Sequence, residues 1–128
     1  MAVYAIGITV TTDFDRAVTT YEQTLLTHTP RWTKELARRI RSINQWRAWY
    51  AQAYGEVLTL QLLDDVMNAR LMAERFREYC HRQDTPEAYR RKRQHIRAFL
   101  AWCIVTSRAQ FDPFEAVLPT PRKSSAKV

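Results

Sequence analysis

Apolar residues along this chain recur at steps of three and four, interrupted at a few prolines and glycines. Phe14, Val18, Tyr21 and Leu25 form one such stripe. It predicts a first helix over 13–27, capped by Thr12 or Asp13 and closed by Thr29-Pro30. Leu36, Ile40, Ile43, Tyr50 and Tyr54 predict a second helix over 33–54, which ends where Gly55 can serve as the C-terminal cap. Leu58, Leu60, Leu62 and Leu63 then lie in a loop that tucks into the core. Val66, Ala69, Ala73, Phe76, Tyr79 and Cys80 predict a third helix over 65–82, capped by Asp64 or Asp65.

The fourth helix carries the strongest local signals. Thr85 is the N-cap, Pro86 suits the first helical position, and Glu87 places negative charge in the first turn. Tyr89, Ile96, Phe99, Leu100 and Cys103 make its apolar stripe. The helix is expected to end near Arg108, before the stop signal Asp112-Pro113-Phe114. The breaker-free segments 31–54, 56–85 and 87–112 suit helices, and strands rarely run so long. The expected fold is all-α, a compact bundle of four main helices over 13–117. Residues 1–12 would be an N-terminal arm, extended or unstructured, and 118–128 a basic, proline-containing linker or tail.

Charge adds a partner to this picture. At 128 residues one domain is expected, and 20 basic against 13 acidic residues leave a net charge of +7. Such an excess points to a polyanionic partner, most often nucleic acid. On the second helix Lys34, Arg38, Arg41 and Gln45 share the face opposite the apolar stripe. With Arg31, Arg39 and Arg47 the stretch 31–47 holds six basic residues and one acid, Glu35. On the fourth helix Arg90, Arg91, Lys92, Arg93 and Arg97 have no acid among them between Tyr89 and Leu100. Arg90, Gln94 and Arg97 fall on one flank beside the apolar stripe. The candidate DNA-binding set is therefore Lys34, Arg38, Arg41, Gln45, Arg90, Arg91, Arg93, Gln94 and Arg97. A solvated surface is the competing explanation, but it favours balanced acid–base pairing, as on the third helix with Arg70, Glu74, Arg75, Arg77 and Glu78. That helix reads as scaffold.

Catalytic chemistry is not expected within these residues. Cys80 and Cys103 are far apart and read as reduced core cysteines. His81 and His95 read as isolated, solvent-exposed helix positions, and His28-Thr29-Pro30-Arg31 as a chance H-x-x-R string. Trp46, Trp49 and Trp102 read as packing at core edges. No metal-binding, phosphate-loop or nucleophile motif occurs. Hence no catalytic residue, metal, cofactor or small-molecule substrate is expected, and the chain by itself should not be an enzyme. No stretch approaches the ~20 apolar residues of a membrane span. A cytoplasmic protein, associated with the nucleoid when on DNA, is the expectation.

The order Thr85, Tyr89, a basic run, then Ile96, Phe99, Leu100, Trp102 and Asp112-Pro113-Phe114 resembles the closing helices of the core-binding domain of tyrosine recombinases of the phage-integrase type. In that family the helix reads roughly l-x-x-F-f-x-W-a, and an Asn-Pro turn follows; here Asp112 replaces the Asn. Leu58-Thr59-Leu60-Gln61-Leu62 partly matches the family's loop before the third helix. The resemblance spans about residues 13–121. It implies a SAM-like four-helix domain that grips a recombination half-site of double-stranded DNA through its second and fourth helices, working with other recombinase protomers. It also implies a basic linker to a separate catalytic domain that holds the nucleophilic tyrosine. Two other readings stay open: a transcription-regulator-like DNA-binding module, and a helical protein-interaction module with an acidic partner.

Overall fold

The structure, a computed structural model, describes residues 12–31 and 33–115. The expectations for residues 1–11 and 118–128 lie outside these. Four helices follow one another: α1 (Asp13–His28), α2 (Thr33–Tyr54), α3 (Val66–Gln83) and α4 (Pro86–Val105), with one 3-10 turn, Gln61–Asp64, before α3. Among the described residues there is no strand, so the all-α architecture read from the stripes is the one found.

The starts of α1, α3 and α4 have local causes. Thr12 and Asp15 form a reciprocal capping box on α1, each side chain satisfying the other's backbone N–H. The Asp65 carboxylate accepts from the Asn68 N–H at 3.4 Å. The Thr85 hydroxyl accepts from the Ala88 N–H at 3.2 Å, with Pro86 in the first turn of α4.

The apolar stripes meet in one core. Phe14, Val18, Tyr21, Ile43, Ile96, Phe99, Leu100 and Cys103 are buried in it, together with Leu58, Leu60 and Leu63 from the loop. Five aromatic rings form its spine, one from each helix and one from the turn after α4. Phe99 lies 5.6 Å from Phe14, Phe14 5.8 Å from Trp46, Trp46 5.3 Å from Phe114, and Phe114 6.1 Å from Phe76, centroid to centroid. Such offset and edge-on pairs contribute beyond the area they bury. Trp46 is therefore a central residue, fully enclosed, with its indole N–H directed at the Met72 sulfur 3.2 Å away. Trp49 and Trp102 do pack at the core edge, as expected. The two cysteines are free and buried, and burial pushes the Cys103 thiol up to about 12.

Three details of the stripes differ from expectation. Tyr54, Val66 and Tyr79 are exposed, the two tyrosines lying at the core edge with their rings against Trp49. Met72 fills the interior position on α3 that the stripe had not assigned. α4 ends at Val105, three residues before Arg108. Ser107 adopts φ 62°, and the N–H groups of Ser107 and Arg108 donate to the carbonyls of Ile104 at 3.1 Å and Cys103 at 2.7 Å. This double reversal is the Schellman arrangement, formed here without glycine.

Two substitutions test these ends. Gly55 has φ +72°, and nothing lies within 4 Å of where a Cβ would sit. Gly55→Ala should therefore lose about 1 kcal/mol through backbone strain alone. Ser107→Gly relieves the same strain and should gain about 0.5–1 kcal/mol. Urea denaturation of the two variants against the parent reads both signs. A stabilised Gly55→Ala would contradict the left-handed cap.

Candidate functional site

The basic residues of α2 divide into two sets. Arg39 and Arg47 turn toward α1: Arg39 reaches the Tyr21 hydroxyl at 3.4 Å and Glu35 at 3.2 Å, while Arg47 pairs with Asp15 and lies 4.6 Å over the Phe14 ring. They fasten the first helix to the second. Lys34, Arg38, Arg41 and Gln45 are exposed along the outer face. Among the described residues Lys34 and Arg41 have no acidic partner, and Arg38 has only Glu35 at 3.5 Å. The predicted row is thus present on the surface.

The basic residues of α4 divide likewise, though not along the predicted flank. Arg93 and Arg97 serve the turn that follows the helix. Arg93 donates twice to the Phe114 carbonyl, at 3.1 and 2.7 Å. Arg97 donates to Asp112 at 2.7 Å, and the other oxygen of Asp112 accepts from the Phe114 N–H at 2.8 Å. These bonds satisfy a buried carboxylate and hold Phe114 in the aromatic spine. Asp112 is therefore more than a stop signal: the chain turns back and packs under α4. Lys92 is largely covered and pairs with Asp84 at 3.4 Å. Arg90, Arg91 and Gln94 remain exposed, with Arg90 paired to Glu87 at 3.1 Å.

α2 and α4 pack directly against each other along one seam, with Arg38 exposed on α2 and Arg91 exposed on α4. The charges of both bear on His95, which lies in that seam. His95 is thus not the exposed position expected from sequence. Its ring Nδ1 is 2.8 Å from the Ser42 hydroxyl oxygen, and its Nε2 is 3.6 Å from Glu35. The partner that covers it comes from 53 residues earlier in the chain, so no local pattern could reveal the burial. Glu35 is held below its usual carboxylate range, chiefly by the Arg39 hydrogen bond, with Arg39, His95 and Arg38 adding to the effect.

Ser42, His95 and Glu35 have the order of a hydrolytic nucleophile, base and orienting acid. The surroundings do not suit that chemistry. Ser42 is buried, so no substrate reaches its oxygen. It also sits in mid-helix, where neighbouring backbone N–H groups are committed to helical bonds and none is free to stabilise an oxyanion. The trio instead fixes α2 to α4. Among the described residues no group of three or more His, Cys, Asp or Glu side chains is placed to hold a metal ion, and no helix is long and apolar enough to cross a membrane.

The described residues thus form a bundle of four helices, with exposed basic residues on two of them that touch. No family model matches it, and no curated protein or solved structure does either.

The turn after α4 gives a direct test. Asp112→Ala removes the acceptor of both Arg97 and the Phe114 N–H and should lose about 1.5–3 kcal/mol. Asp112→Asn keeps an acceptor for the Phe114 N–H and should lose less. Chemical denaturation followed by tryptophan fluorescence would check the order. Parent-like stability in Asp112→Ala would mean that the turn contributes nothing to the fold.

Proposed function

We propose that this chain is a duplex-DNA-binding domain, of the SAM-like kind found as the core-binding domain of tyrosine recombinases. Its work is to grip a recombination half-site during DNA integration and recombination, with cleavage left to a separate catalytic domain and other protomers on neighbouring half-sites. The observation that carries the reading is the seam. Lys34, Arg38 and Arg41 on α2 and Arg91 on α4 are all exposed, and the two helices that bear them touch. One carboxylate, Glu35, is shared among Arg38, Arg39 and His95 there. A surface with so little internal neutralisation suits a row of phosphates. Gln45 and Gln94, exposed beside it, suit base edges, since a side-chain amide pairs with adenine. Arg93 and Arg97 support the turn and contribute to DNA binding by keeping α4 in place.

A specific observation favours a second reading, a protein-interaction module. Val57, Val66, Met67 and Leu71 are exposed around the start of α3, with Met67 at 82 %. Scattered exposed apolar residues are common, but four in one region suit a protein contact.

Salt dependence separates the two. If roughly 4–6 phosphates are neutralised, log K should fall against log salt with a slope near −4 to −5. The pair Arg38→Ala and Arg91→Ala should flatten the slope by about 2. The pair Arg75→Ala and Arg82→Ala, exposed on α3, removes the same charge and should change it little. Fluorescence anisotropy on a labelled duplex, with an acidic polypeptide as competitor, reads all of this. Equal losses from the two pairs would indicate diffuse attraction and sink the seam as the binding surface. Preference for the polypeptide would favour the second reading.

A further inference from the structure

Among the described residues His95 is the one histidine that the bundle encloses, its side chain 12 % exposed, whereas His28 and His81 are at the surface. Its two contacts serve both protonation states. With the neutral ring carrying its proton on Nε2, that N–H faces Glu35 and the Ser42 hydroxyl donates to Nδ1. With the ring charged, Nδ1–H donates to the Ser42 oxygen, whose own hydrogen rotates away. No side chain has to move. The charged groups that bear on the ring are Glu35, Arg38 and Arg39 from α2 and Arg91 from α4. In the free protein burial lowers the pKa of His95 below the ordinary histidine value, and the three arginines lower it further against the opposing pull of Glu35.

We infer that the α2–α4 seam is a proton-linked phosphate site, in which a phosphodiester seated between Arg38 and Arg91 draws a proton onto His95. The inference rests on the DNA reading above and adds to it a ligand position and a regulation. A phosphodiester brings negative charge to a place where Arg38, Arg39 and His95 share one carboxylate, Glu35, and Arg91 adds a further positive charge. It offsets the repulsion that Arg38 and Arg91 exert on an imidazolium, and the imidazolium in turn attracts the phosphate. The complex then holds more protons than the free partners, so affinity rises as pH falls. Folding responds with the opposite sign. His95 is held neutral in the folded state while the unfolded chain's histidines charge freely, so its contribution to stability is lost as pH drops below the ordinary histidine range. General acidification of a protein with net charge +7 also strengthens DNA binding and weakens the fold, so variants at His95 itself separate the two.

The experiment measures anisotropy of a labelled duplex of about 20 base pairs at fixed salt, from about pH 7.5 to about pH 5.5, for the full chain. Circular dichroism at each pH confirms that the protein is folded. Parent protein should bind more tightly by about threefold or more at the lower pH, each unit of pKa rise on binding being worth up to tenfold. His95→Gln keeps a hydrogen-bonding side chain but cannot titrate, and should lose most of that pH dependence. The surface double variant His28→Gln, His81→Gln should keep it. Proton NMR of the His95 ring should show its titration moving to higher pH when duplex is added. A parent that binds with no pH dependence, or a His95→Gln protein that keeps the parent's full dependence, overturns the proton-linked site and leaves the DNA reading standing. Failure of the parent to bind duplex at any pH overturns both.

Discussion

The fold depends on one chain of aromatic contacts, Phe99–Phe14–Trp46–Phe114–Phe76, that runs through every helix. A domain of this size has few interior positions, and these rings fill the centre. Each helix supplies one ring, so no helix can leave without opening the spine. The fifth ring, Phe114, belongs to no helix. It stays in place because Asp112, Arg93 and Arg97 hold its backbone. The chain therefore uses two of the arginines of α4 to complete its core.

That use of charge bears on function. A helix with five basic residues between Arg90 and Arg97 has to place some of them near the bundle's own surface. Arg93 and Arg97 find oxygen acceptors there, and Lys92 finds Asp84. The surplus, Arg90 and Arg91, stays outward beside Gln94. On α2 the division is the same, with Arg39 and Arg47 tied to α1 and Lys34, Arg38 and Arg41 outward. Net charge alone would treat all of these alike. The exposed, weakly partnered subset is the part suited to an external polyanion, and its members lie on the two helices that pack together, α2 and α4.

The seam also carries a largely covered titratable group. His95 touches Ser42 and faces Glu35 beneath two outward arginines. A buried imidazole without partners would be costly, and this one has a partner on each nitrogen. The same contacts that join α2 to α4 thus make the basic surface sensitive to protonation. Structure and binding surface share residues here, so substitutions at Glu35 or Ser42 should be judged by stability before affinity.

The helices were legible in the sequence because their causes are local. Thr12, Asp65 and Thr85 cap, Gly55 closes, and stripes such as Phe14–Val18–Tyr21 need only the 3.6-residue period. The outward row Lys34, Arg38, Arg41 and Gln45 was legible for the same reason: it lies opposite a clear apolar stripe. What tertiary structure alone decided are the roles set by distant partners. Arg97 and Gln94 look equivalent on a helical wheel, yet Arg97 meets Asp112, 15 residues on, and Gln94 meets solvent. Trp46 looked like an edge residue until α1, α3 and the last turn closed around it. His95 looked exposed until α2 covered it. Helical period fixes which side of a helix a residue occupies, but only the packing of one helix on another decides what that side meets.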